Sequence, residues 1–196
     1  MPKLIDHGRR RAELAEAAWR VILRDGVGHV SVRAVAAEAG LSTGSLRHVF
    51  KTQSELLVFA LELVLDRVRA RVAALPPRPA IRATVEAVAR EMLPLDADRR
   101  TEMEIFTALF TAANAAECLK RPRAQAHDAL RDACRWMIGQ LDQGAVLAPG
   151  LDVELEARRL HALLDGLAAH LLYEPPSAET GWATRVLSAH LDSLEK

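Results

Sequence analysis

Apolar residues recur along this chain at spacings of three and four almost without interruption, and the polar-apolar alternation of a half-buried strand is nearly absent. A chain patterned in this way buries its apolar stripes by packing helix on helix. Punctuation sets the second constraint, because Leu75-Pro76-Pro77-Arg78-Pro79 and Pro175-Pro176 cannot lie inside helices and the stretch 144–150 is rich in Gly and Pro. The expectation is an all-α fold of about nine helices and no sheet, at 8–25, 32–39, 43–49, 52–74, 79–93, 97–116, 122–143, 152–173 and 178–194. Ser31 and Ser42 stand where N-caps are needed, and Gly26 and Gly40 where helices end. Thr52 and Glu55 form a capping box that opens the long fourth helix.

With 196 residues, half of them hydrophobic, the chain can build a core without disulfides or a metal. Cys118 and Cys134 are far apart, with neither CxxC spacing nor a histidine ladder beside them, so neither a disulfide framework nor a zinc site is expected. Charges at the N-terminus are not followed by an apolar segment, and no apolar run approaches membrane-spanning length. The location expected from this is the cytoplasm.

The formal net charge is zero, but it is unevenly distributed. Residues 1–51 hold nine Lys or Arg against five acids, a net +4, which leaves 17 basic and 21 acidic residues, a net −4, for the remainder. A basic quarter joined to an acidic remainder suits a molecule that docks one end on phosphate, although a solvated basic helix face would give the same count.

Within that basic quarter, residues 31–50 read as helix, glycine turn and short second helix. Ala36 is small enough for close crossing, and Val35, Leu41, Leu46 and Phe50 supply a buried wedge. What remains on the second helix, Thr43, Gly44, Ser45, Arg47 and His48, is short, polar or basic, as a groove-reading helix requires.

The stretch Ser31 to Leu57, SVRAVAAEAGLSTGSLRHVFKTQSELL, resembles the helix-turn-helix and start of helix 4 in the tetracycline-repressor (TetR) family of transcriptional regulators. The segment around Glu156-Ala-Arg-Arg-Leu-His-Ala-Leu-Leu-Asp-Gly-Leu is more loosely similar to the betaine-repressor branch. The resemblance implies a DNA-binding domain at 8–68 and an effector-binding and dimerisation domain at 69–196. It places Ser31 and Arg33 on the DNA backbone, Thr43, Gly44 and Ser45 at base edges, and Arg47, His48 and Lys51 at the same surface. Where the family carries two tyrosines and a lysine this chain has Arg47, Val49 and Gln53, and compensation is expected from Lys51 and the Arg9, Arg10, Arg11 cluster.

The same resemblance implies a small-molecule effector, apolar or amphipathic, in a pocket for which Phe59, Met103, Phe106, Phe110, Asn114, His127 and Trp136 are the candidates. Residues at such spacing are also what a plain core looks like. It further implies a homodimer through the last two helices, with Leu160, Leu164, Leu167, Leu171, Val186, Leu187 and Leu191 as candidate interface residues. The expected mode is a dimeric repressor on a pseudo-palindromic operator, released by its effector, with no cofactor. His161 and Asp165, four apart, could present a metal pair, but a buried hydrogen-bonded pair is the expected role. No nucleophile-base pair or phosphate-cradling loop points to an enzyme. The competing reading is a protein-interaction bundle with a degenerate helix-turn-helix, for which the departures at Arg47, Val49 and Gln53 leave room.

Overall fold

In the computed structural model, which describes residues 7–196, the chain forms nine α-helices. They are α1 (His7–Asp25), α2 (Val32–Glu38), α3 (Thr43–Arg47), α4 (Gln53–Ala73), α5 (Ile81–Glu91), α6 (Ala97–Ala112), α7 (Glu117–Gln143), α8 (Val153–Tyr173) and α9 (Gly181–Asp192). Among the described residues there is no strand, only an isolated bridge between Leu147 and Glu195. Lys3 and Asp6, counted in the basic N-terminal quarter, lie outside the described residues.

The departures from the sequence expectation have local causes. A single 3-10 turn, Val27–His29, follows α1, and Gly26 supplies the turn's entry at φ 89°. Helix α7 begins five residues before Pro122 and keeps that proline inside, where its missing N–H gives up one helical hydrogen bond in the second turn. Helices α6 and α9 are shorter than their apolar pattern suggested. The chain beyond α6 turns through Asn114 and Ala115 at the level of Ala112, and α9 starts only at Gly181.

The chain divides into two compact units. The first holds the described residues up to Arg67 together with Glu104–Ala124. Its core is Leu14, Trp19, Ile22, Val35, Leu46, Phe50, Leu57, Leu61, Ile105 and Leu109, all with almost no solvent exposure. Trp19 Nε1 donates to the Ala60 carbonyl at 3.0 Å, so the indole satisfies its donor while tying α1 to α4. The Arg67 guanidinium covers the Trp19 ring at 4.7 Å and also pairs with Glu16.

The second unit holds Val68–Met103 and Gln125–Lys196. Its core gathers Val85, Leu93, Met137, Ile138, Leu141, Leu160, Leu164, Leu187 and Leu191. Asp152 caps α8 by accepting from Glu154 N at 2.8 Å and Leu155 N at 3.2 Å. At the other end Arg100 donates to the carbonyls of Leu171, Leu172 and Glu174 at 2.8, 3.0 and 2.9 Å, closing a helix end that has no glycine. A Cβ on Gly144 would lie 2.3 Å from Ile81 Cδ1 and 3.2 Å from the Gln140 carbonyl oxygen, so a larger residue here would have to displace the Ile81 side chain.

Candidate nucleic-acid interface

The geometry of residues 31–50 follows from three small hydrogen-bond devices. Ser31 Oγ accepts from Ala34 N at 3.1 Å and starts α2. At the far end Leu41 N reaches the Ala36 carbonyl at 2.8 Å and Gly40 N the Ala37 carbonyl at 3.1 Å, with Gly40 at φ 66°. That pair of bonds is a Schellman termination, which needs a left-handed residue at the glycine position. One residue later Ser42 Oγ accepts from Ser45 N at 3.1 Å and starts α3, while the Ser42 and Ser45 hydroxyls share a hydrogen bond of 2.9 Å.

Leu46 and Phe50 are fully buried, each contributing on the order of 2 kcal/mol of apolar burial that pins one face of α3 inward. The opposite face is therefore outside: Thr43, Gly44, Ser45, Arg47 and His48 are all exposed, as are Arg33 on α2 and Lys51 beyond α3, and Ser31 is half-buried. Arg33, Arg47 and Lys51 form no ion pair among the described residues. A second constraint sets α2 against α1. Glu38 takes Arg20 Nε at 2.7 Å and Arg24 Nη1 at 2.8 Å, and these bonds, Arg24 first, hold its carboxyl below the usual carboxylate range.

Gly44 has an ordinary helical conformation, and a Cβ there would meet nothing nearer than Ser42 Oγ at 3.8 Å. Glycine in a helix costs about 0.5–1 kcal/mol relative to alanine. Neither backbone strain nor internal packing calls for it, and its effect is to leave the outer surface of α3 flat enough for close approach.

Arg9, Arg10 and Arg11, expected to supplement the phosphate contacts, also have neighbours within their own unit. Arg9 pairs with Glu13 at 3.0 Å, Arg10 lies 3.8 Å from the same carboxylate, and Arg11 stacks over the Phe59 and Phe50 rings at 4.4 and 5.1 Å. These cations stabilise α1 and its aromatic neighbours. Val49, at the position of a family tyrosine, is half-buried against the first core, and Gln53 is the exposed first residue of α4. The Thr52 cap works through Glu55 N at 3.1 Å, but the Glu55 carboxylate accepts from Lys51 N at 2.9 Å, one residue before the cap. An open, mostly apolar groove lies beside this region, lined by Arg11, Val49, Lys51, Val58, Phe59 and Glu62, and sequence spacing gave no sign of it.

The remaining candidate residues divide between the units. Phe59, Phe106, Phe110 and Asn114 belong to the first, where Phe59 meets Phe50 at 5.4 Å and Phe106 meets Phe110 at 5.2 Å. Asn114 Oδ1 accepts from Arg123 at 2.6 Å. Met103, His127 and Trp136 belong to the second, with Met103 half-buried and Trp136 46 % exposed. Of the candidate interface residues, Leu160, Leu164, Leu167, Leu171, Leu187 and Leu191 are all buried in their own unit's core, and Val186 is exposed at 42 %.

His161 is buried and stacks on His127 at 5.0 Å, but Asp165 is exposed and sits 3.5 Å away, too far for a good hydrogen bond. The buried hydrogen-bonded pair expected from their spacing is therefore half wrong: the i, i+4 geometry puts Asp165 on the solvent side. No cluster of three or more potential metal ligands occurs among the described residues. Nor is any helix long and apolar enough to cross a membrane.

Residues 14–58 match the family profile described as bacterial regulatory proteins, tetR family, and residues 79–195 match that of the BetI-type transcriptional repressor, C-terminal. The chain is 40% identical over 195 residues to the HTH-type transcriptional regulator PksA of Bacillus subtilis (strain 168), covering 99% of this chain and 94% of that protein. Among solved structures it is similar to a transcriptional regulator from Rhodococcus sp. Rha1, with 26% identity, a TM-score of 0.78, and 94% and 95% of the two chains covered. A regulator from Saccharomonospora viridis in complex with choline shares the fold, with 22% identity, a TM-score of 0.77, and 94% and 96% covered.

Proposed function

Because the chain belongs to the TetR family of bacterial transcriptional regulators and is a DNA-binding regulator, we propose that it is a cytoplasmic homodimeric repressor, released from a pseudo-palindromic operator by a small apolar or amphipathic effector. Residues 8–68 form the DNA-binding domain and 69–196 the effector and dimerisation domain in this reading. The observation that carries it is the outward face of α3, where Thr43, Gly44, Ser45, Arg47 and His48 are exposed over a fully buried Leu46. A short helix pinned this firmly, with a flat glycine and an unneutralised cation on its outer side, can enter a major groove without losing its own packing. Arg33, Arg47 and Lys51 then meet phosphates, and Thr43, Ser45 and His48 meet base edges.

Two recognition helices on one operator require a dimer, and α8 offers a face for it. Leu155, Ala162, Gly166 and Tyr173 are exposed on one stripe, with Ala169 half-buried among them. A Cβ on Gly166 would meet nothing within 4 Å. With Val186 on α9 this stripe, rather than the buried leucines beneath it, is what a second copy touches.

Selection from a random pool of duplexes tests the DNA reading. A pseudo-palindromic sequence should emerge, and its affinity should fall steeply with salt. Recovery of no preferred duplex would favour an interaction module instead. Sedimentation of wild type and Gly166→Arg tests the dimer: the variant should run as a monomer, and an unchanged dimer would move the interface elsewhere.

A further inference from the structure

Helix α4 passes from the first unit into the second, and it is held differently at its two ends. Its five buried residues, Leu56, Leu57, Ala60, Leu61 and Val64, all pack into the first core. In the second unit its apolar contribution is Val72, partly buried. The firm attachment there is polar. Arg71, in the last turn, donates through Nε to Glu91 Oε2 at 3.0 Å and through Nη1 to Glu102 Oε2 at 2.8 Å. Glu91 is the last residue of α5, and Glu102 lies on α6 with only 4 % of its surface exposed. One guanidinium thus fastens the end of α4 to two other helices. Its fork geometry suits that task better than an ammonium would.

We propose that Arg71 is a positioning residue for DNA binding. By clamping the end of α4 to Glu91 and Glu102, it limits the orientations open to the helix whose other end is built into the DNA-binding unit. An ionic clamp of this kind has discrete made and broken states, as a switching element requires. The proposal rests on the DNA-binding reading above and adds the residue through which the second unit acts on it.

The test uses full-length protein and the duplex that wild type selects from a random pool. Arg71→Met and Glu102→Gln should each weaken binding about tenfold, within the range of ordinary intersite coupling. The double variant should be no weaker than the worse single one, and Arg71→Lys should recover part of the loss. Since Arg71 touches no phosphate in this scheme, the slope of log affinity against log salt should stay at the wild-type value. Amide exchange at residues 68–75 should quicken in both single variants while residues 53–61 stay protected. Wild-type affinity in folded Glu102→Gln and Arg71→Lys would overturn the proposal even if Arg71→Met does not fold. A salt slope lowered by about one in Arg71→Met, with Arg71→Lys unchanged, would overturn it too, by making Arg71 a direct phosphate contact. Arg47→Ala, measured in parallel, keeps the two readings apart: if it binds as wild type does, the assignment of the α3 surface fails, whatever Arg71 does.

Discussion

Arginine on the α2–α3 surface and arginine in the second unit have opposite uses. Around α3, Arg33 and Arg47 are exposed and form no ion pair among the described residues. In the second unit Arg71, Arg82, Arg99, Arg135 and Arg159 are each committed to carboxylates. Arg82 alone meets Glu86, Asp192 and Glu195 at 2.6, 2.6 and 3.0 Å. The contrast explains how a chain of zero net charge can still address DNA. Paired cations are structural and electrically quiet at a distance, while unpaired ones keep their field for a ligand.

The sharpest way to break this contrast is to remove one arginine of each kind. Arg82→Met should lower stability by about 1 kcal/mol, because it removes the bond to the Ser188 carbonyl and leaves the half-buried Glu86 with Arg90 alone, while leaving the selected duplex bound at wild-type strength. Denaturant melts and anisotropy titrations read the two quantities, and a DNA defect at unchanged stability would contradict the division. Arg47→Ala should do the reverse, weakening DNA binding about tenfold and reducing the salt slope by about one with little change in melting.

A smaller effect comes from Gly44→Ala. Alanine should raise stability by about 0.5–1 kcal/mol, since no protein atom opposes it, and yet weaken operator binding by filling the approach surface. If both rise together, the glycine has no role at the DNA. The smallest expected change is at Glu38, whose folded carboxyl lies below its usual 4.5 through the hydrogen bonds from Arg24 and Arg20. A depressed folded value means the contribution is present above the unfolded pKa and fades as pH falls through the folded one. Wild type should therefore exceed Glu38→Gln in stability near neutrality, with the gap closing on acidification below about pH 4. A gap that widens in acid would reverse the assignment.

Much of this molecule is written in local pattern. The caps at Ser31, Ser42 and Thr52, the left-handed turn at Gly40 and the inward positions of Leu46 and Phe50 depend on neighbours within a few residues, so spacing alone reveals them. Interactions over longer distances along the chain were not legible. That Arg11 would lie on Phe50 and Phe59 instead of reaching outward depends on a partner almost 50 residues away. The apolar breadth of α8 and α9 could not say which leucines their own unit would enclose, since one helical stripe can face a core or a partner equally well. Pro122 misled for the converse reason: a strong local breaker is tolerated within the first two turns of a helix, where it forfeits a single backbone bond.

The capture of two α8 carbonyls and that of the following Glu174 by Arg100 bears on how this protein can be recombined with others. A chimera that grafts residues 125–196 onto a different front half would leave the end of α8 uncapped unless the donor also brought a forked side chain at the matching place on its sixth helix. Crossovers placed before residue 97 keep the cap and its helix together but part α5 from the core it shares with α7, α8 and α9, so a working hybrid must carry α5 across as well.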